Sequence, residues 1–197
     1  MIERDRYIKL REKYGHVAVW APPADRIKEN IWDLGVFDDE EKLLEILNPA
    51  YVFVGLNGAE HVAAESAPKQ AQPWRGFHSS DIRRCQDYKI RYALAGTRFW
   101  GAYMTDVIKE YSKTDSSSVR RYLTTHPEVV EHNIAMFREE LYLLGADPLV
   151  ITFGVMAYGI LRAHMPEDFR LIRVTHYSHF IGACEYRKKL LAQLADA

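Results

Sequence analysis

Three short, largely apolar runs, spaced among helical patterns, constrain this chain more than any other feature. They are Tyr51-Val-Phe-Val54, Leu149-Val-Ile-Thr-Phe153 and Leu171-Ile-Arg-Val-Thr175. A run of this length without polar alternation belongs to a strand covered on both faces, as in a parallel sheet. Tyr103-Met-Thr-Asp-Val-Ile108 is a fourth strand candidate, after Gly101. The segments between the runs read as helices. Asp38 to Leu47 has an N-cap pair in Asp38 and Glu41, and Asn48-Pro49 stops it. Thr125-His-Pro-Glu128 has the form of a capping box, and Val130, Ile134, Phe137, Leu141 and Leu144 follow at helical spacing up to Gly145. Gly154 turns into a helix over 155–164, which Pro166 ends, and 185–194 is the closing helix.

Strands alternating with helices predict an α/β fold with a mostly parallel sheet and helices on both sides. Ligands of such sheets bind beyond the carboxyl ends of the strands. The residues after Val54, Ile108, Phe153 and Thr175 are therefore expected to converge. With 197 residues, 48% of them hydrophobic, one domain is expected over 1–197, with 1–48 as an N-terminal helical extension. Two long connections interrupt the pattern, 60–84 and 112–125, and long loops in compact domains are usually functional or mobile.

A net charge of −1 gives no general basis for binding a polyanion, although a local basic patch is compatible with it. Cys85 and Cys184 are too few for a disulfide framework, a zinc site or an iron–sulfur cluster. The first residues carry no secretory h-region, and no apolar run approaches the roughly 18 residues of a membrane span. The expectation is a cytoplasmic protein with no membrane partner, a monomer or weak dimer.

Chemistry concentrates at the strand ends. Gly55-Leu-Asn-Gly-Ala59 ends the first run: Gly55 permits close approach by a ligand or another backbone, and Asn57 offers one acceptor and two donors. The plain alternative is a turn in which Asn57 caps the backbone. His176-Tyr-Ser-His179 ends the last run and puts two imidazoles and a hydroxyl together. The plain reading is a pair of capping histidines; ligands of a metal with His78 or Asp106, or a Ser178–His–Asp106 triad, are the weaker alternatives. Metal-ligand spacing and a nucleophile elbow are both missing from the sequence, so neither a metal nor a cofactor is expected. Asp106 falls inside its strand, where a carboxylate needs a partner. In the first long connection Trp74 is expected to pin the loop to the core, and Phe77, between Gly76 and His78, to face a ligand. Arg83, Arg84, Lys89, Arg91, Arg98, Arg120 and Arg121 read as a solvated basic face, with phosphate tracking as the alternative.

Taken in order, Val54-Gly-Leu-Asn-Gly58, Ala102-Tyr-Met-Thr-Asp-Val-Ile-Lys109, Asp147-Pro-Leu-Val-Ile-Thr-Phe-Gly154 and Arg173-Val-Thr-His-Tyr-Ser-His179 resemble the motifs of the uracil-DNA glycosylase superfamily. The first resembles its Gly-x-Asn-Pro or Gly-x-Asp-Pro loop and the last its His-Pro-Ser-Pro loop. The second resembles a Thr-Asn-Val-Val-Lys strand of the bacterial branches. The likeness covers roughly residues 50 to 195. Gly58, Tyr177 and His179 stand where that pattern has prolines.

The resemblance implies a three-layer α/β/α sandwich around a central four-stranded, mostly parallel sheet. It implies hydrolysis of the N-glycosidic bond of uracil or a related base in DNA, with the nucleotide flipped out, by an activated water and without a metal. Asn57 then orients the water and His176 hydrogen-bonds the departing base. Gly55, Leu56, Gly58, Phe77, Asp106, Ser178 and His179 line the substrate, with Phe77 stacking on it and Phe180-Ile181 filling the gap in the duplex. Asn57 cannot accept a proton, which leaves Glu60 and Asp106 as carboxylates for that role. The alternative on the same fold is an inactive module that binds a nucleobase, nucleic acid or protein.

Overall fold

The computed structural model describes residues 2–21, 35–58, 73–74, 86, 88–109, 111, 115–145 and 147–195. Its most enclosed strand is β3 (Ala102–Ile108), buried at every position and paired on both edges. The elements before it are α1 (Arg4–Tyr14), β1 (Val19–Ala21), a 3-10 turn (Gly35–Asp38), α2 (Glu40–Ile46), β2 (Asn48–Asn57) and α3 (Tyr88–Leu94). After it come α4 (Ser116–Thr125), α5 (Pro127–Leu144), β4 (Leu149–Phe153), α6 (Val155–His164), β5 (Leu171–Val174) and α7 (Ala183–Gln193).

The fold is α/β with a five-stranded mixed sheet, in the order β1-β3-β2-β4-β5. The four strands expected from the sequence are β2 to β5, and all their pairings are parallel. The fifth, β1, corrects the four-stranded expectation: it adds antiparallel to the outer edge of β3, pairing Trp20 with Tyr103. Three residues are too few to show a period, which is why Val19-Trp-Ala21 left no signal in the sequence. Residues 1–48 thus supply a strand as well as helices, and α1 packs on α5.

Local chemistry explains the other boundaries. The cap of α2 is Asp39, whose Oδ1 accepts from Lys42 N–H at 3.2 Å, one residue later than the expected Asp38. The expected capping box at Thr125 does not form. Thr125 is the last residue of α4, its hydroxyl turns back to Tyr122 O at 2.9 Å, and His126 is the N-cap residue of α5. The connection at 112–125 is helical from Ser116, because Asp115 accepts from Ser117 N–H and Ser118 N–H and because Val119 and Leu123 bury one turn apart. Gly145 ends α5 at φ 70°, as its sequence position predicts.

Paired residues of a parallel ladder share a face, so the register fixes what each face carries. One face of β3 presents Tyr103, Thr105 and Lys109 to α5. There Glu140 Oε1 accepts from Tyr103 Oη and Thr105 Oγ1, both at 2.8 Å, and Lys109 Nζ lies 2.7 Å from Oε2. Both members of that ion pair are fully buried. Next to them Trp20, Trp74, Tyr7 and Tyr103 form an aromatic cluster, with Trp20 and Tyr103 centroids 4.9 Å apart. Trp74 pins its loop as expected: its backbone N–H donates to Gly15 O and its Nε1–H to Tyr7 Oη. The other face presents Met104 and Asp106, beside Phe53 and Gly55 of β2.

Breaking a buried pair leaves one charge uncompensated, which typically costs about 3–5 kcal/mol. Lys109→Met and Glu140→Gln should each show a loss of that order in urea unfolding. The double variant keeps an acceptor for Tyr103 and Thr105 and removes both charges. It should be more stable than either single variant, and equal or greater destabilisation would show that the pair does not act as a pair.

Candidate functional site

The carboxyl edge of the second face gathers the polar residues that the sequence scatters over 120 positions. Gly55 sits beside Asp106 in the β2–β3 ladder. The Asp106 carboxyl leans over Gly55, and a Cβ at that position would overlap Asp106 Oδ1. Glycine is therefore required here for close approach of a side chain. Asn57 ends β2, and its Nδ2 donates to Gly58 O and to Tyr111 O, both at 3.1 Å. That second bond ties the end of β2 to the segment after β3. Leu56 points to the opposite face and packs against the core, so it offers this edge only its main chain.

On the far side of Gly55 lies β4, whose last residue, Phe153, stacks on Phe53 with centroids 5.5 Å apart. Beyond β4 comes His176, two residues past β5. The His176 ring lies 5.6 Å from Phe153 and 4.5 Å from Tyr177. Asp106 and Asn57 thus stand on one side of Phe153 and His176 on the other. Asp106 on β3 and His176 past β5 are three strand spacings apart, about 14 Å, and Asn57 on β2 is one spacing nearer to the histidine. The stretch of sheet edge between them, with Phe153 at its middle, is called the slot below.

The electrostatics of the two sides differ. Asp106 is 6% exposed, and no described residue donates a hydrogen bond to its carboxyl. Burial pushes its pKa up to about 7, against the pull of Lys109. His176 is half-buried, and burial lowers its pKa to about 4, so the ring is neutral at pH 7. Its tautomer follows from one contact. Ser178 N–H can only donate, and it points at Nδ1 from 3.1 Å. Nδ1 therefore carries the lone pair, and the proton sits on Nε2, which becomes a neutral donor.

Ser178 and His179 belong to a different cavity. They are exposed and, with Gln86, Tyr88, Lys89, Phe180, Ile181 and Gly182, line an open groove of about 510 Å³ next to the slot. Ser178 Oγ also reaches His176 Nδ1 at 2.8 Å, but among the described residues no carboxylate hydrogen-bonds that histidine, so no triad is assembled. No group of three or more His, Cys, Asp or Glu among the described residues is placed to hold a metal. Phe77, His78 and Glu60 lie outside the described residues. Lys89 and Arg91 depart from the solvated face expected of them: both are buried in α3.

Two contributors were missed in the sequence. Phe153 was readable only as the end of a buried strand, yet it shares parity with Leu149 and Ile151 and so with the slot face. Lys89 looked like one of several scattered cations. Its neighbours Ile90, Ala93 and Leu94 are all buried, which was the available hint. No family model, curated protein or solved structure matches this chain. No described helix is long and apolar enough to cross a membrane.

Opposed shifts have opposed effects on stability. The folded state keeps the Asp106 proton up to about pH 7, the unfolded chain only to about 3.8. Stability on this account falls as pH rises across that window. The unfolded chain protonates His176 below about 6.5, the folded state only below about 4, so this contribution rises with pH over an overlapping window. Asp106→Asn should therefore gain stability from pH 4 to 6.5 relative to wild type, by roughly 2–3 kcal/mol, and His176→Gln should lose it over the same range. Urea midpoints across pH check both, and parallel curves for all three proteins would contradict the assignment.

Proposed function

We propose that this chain is a uracil-DNA-glycosylase-like protein that hydrolyses the N-glycosidic bond of uracil or a related base in DNA. The observation that carries the reading is this sheet edge: a buried carboxyl to which no described residue donates, and a neutral Nε2–H donor, stand on either side of Phe153 at the carboxyl end of parallel strands. That combination suits a planar, polar-edged ring better than a flexible or charged ligand. The three-layer α/β/α arrangement of that superfamily is supported by the strand order. Right-handed crossovers put α3 on one face of the sheet and α5 and α6 on the other, and α7 packs with α3.

In this reading the base lies over Phe153 with one edge at Asp106 and another at His176. A protonated carboxyl offers one donor and one acceptor, the complement of an adjacent carbonyl and N–H on a pyrimidine. Cleavage of the C–N bond moves its electron pair onto the base and leaves an oxocarbenium-like sugar. The His176 Nε2–H meets the carbonyl oxygen where that negative charge collects, and it does so without reorganisation. A donor of this kind is worth about 3 kcal/mol in the transition state. The Asn57 carbonyl oxygen accepts from the attacking water. With its amide hydrogens held by Gly58 O and Tyr111 O, that oxygen has a fixed direction. Water oxygen bonds to the sugar carbon, and its proton passes to solvent or to the departing base.

The test is release of free base from oligonucleotides that carry uracil or hypoxanthine. Wild type should release base, and His176→Ala should slow release by about a hundredfold or more. Asn57→Ala should lower the rate with little effect on binding. Since His176 stays neutral above pH 4, a decline of binding through pH 7 belongs to Asp106, and Asp106→Asn should abolish that decline. Base bound without any turnover, and unchanged in Asn57→Ala, would instead favour the inactive binding module.

A further inference from the structure

The groove next to the slot contains a cation with no acidic partner among the described residues. Lys89 sits on α3 and is 4% exposed. Its side chain runs into the groove, where Nζ donates to His179 O at 3.1 Å. An ammonium has three N–H donors, and this is the one bond that Lys89 makes with a described residue. Among the described residues no acidic side chain lines the groove. A buried charge without a partner is costly, and burial lowers the Lys89 pKa for that reason. Around it the groove offers the Ser178 hydroxyl, the His179 ring, the Gln86 amide and the Tyr88 phenol, all able to donate. The walls are therefore electropositive and donor-rich. The backbone bond from Lys89 also holds the 176–182 segment, whose Phe180 is fully exposed at the rim.

The volume, about 510 Å³, is far larger than a lone anion needs and is of the size of sites that hold a small organic ligand. The groove begins at Ser178, two residues after His176. Anything held in it is attached at short range to whatever occupies the slot.

We infer that this groove is a phosphate subsite in which Lys89 is the charged donor to a phosphate attached to the nucleoside whose base enters the slot. The proposal rests on the glycosylase-like reading for the base, but not for the anion. The phosphate is either a phosphodiester of a nucleic-acid strand or the monoester of a free nucleotide. In both cases the ionic hydrogen bond is made to a non-bridging oxygen, and Ser178 and His179 are placed to bond the others. The strand is favoured because the groove is open along its length and because Phe180 at its rim offers an apolar ring to a neighbouring base.

The test measures binding of a short fluorescent single-stranded oligodeoxynucleotide by anisotropy at several salt concentrations, with deoxythymidine and its 5′-monophosphate as competitors. Lys89→Met should weaken oligonucleotide binding about tenfold, equivalent to one ionic hydrogen bond. It should also reduce the slope of log K against log salt by about 0.7, the effect of one phosphate contact on a single strand. Lys89→Arg should keep the slope, and Lys42→Met, at an exposed position, should change nothing. A purely structural role for Lys89, through the 176–182 segment, would weaken binding with the slope unchanged and would overturn the proposal. So would a wild type that binds no oligonucleotide and no monophosphate at low salt. Loss of monophosphate competition in Lys89→Met assigns the subsite to free nucleotides as well, whereas competition that survives confines it to strands. Failure to release base, with the Lys89-dependent slope intact, would sink the glycosidase reading and leave the subsite standing.

Discussion

The carboxyl end of β3 depends on one buried ion pair. Lys109 and Glu140 meet away from water, with Tyr103 and Thr105 donating to the same carboxylate. Lys109 N–H in turn donates to Asn133 Oδ1 at 2.8 Å. Together these lock β3 to α5 and fix where the strand stops. Lys109 Nζ also donates to the backbone oxygen of Asp106. The carbonyl of Asp106 is thus held from one face of the sheet while its carboxyl projects from the other.

That division explains how a carboxyl comes to be buried with no hydrogen-bond donor among the described residues. The cation nearest Asp106 is already committed to Glu140, so its field is largely balanced, and burial dominates. Gly55 makes the room for the carboxyl. A residue poised between acid and carboxylate at neutral pH is then a consequence of the packing of β3. The same sheet edge leaves His176 neutral by burial, with its tautomer set by the turn at Ser178. Both groups are unusual for the same reason, since each sits where two strand ends enclose it.

Much of this was legible in the sequence where a local period or a single residue type decides structure. The runs at 51–54 and 149–153 lie in strands inside the sheet, 171–174 is an edge strand with Arg173 exposed, and Gly145 and Gly154 stand at the helix ends where their freedom is needed. What was not legible depends on distant partners. β1 forms because β3 offers it an open edge, and α4 forms because Asp115 caps it, while a serine-rich stretch suggests a loop. The division of Ser178 and His179 from His176 reflects a turn whose direction is set by Lys89, 90 residues away in the chain. The burial of Lys89 itself is decided by α7 packing on α3, which no property of residue 89 announces.

The central claim is that Asp106 is a neutral reader of a base edge. Carbon-13 NMR of the Asp106 carboxyl through a pH titration, with and without uracil, tests it most directly. The expected result is a midpoint near 7 in the free protein that moves higher when uracil binds, because the base selects the protonated form. A midpoint near the ordinary value of 3.8, unmoved by uracil, would contradict the account.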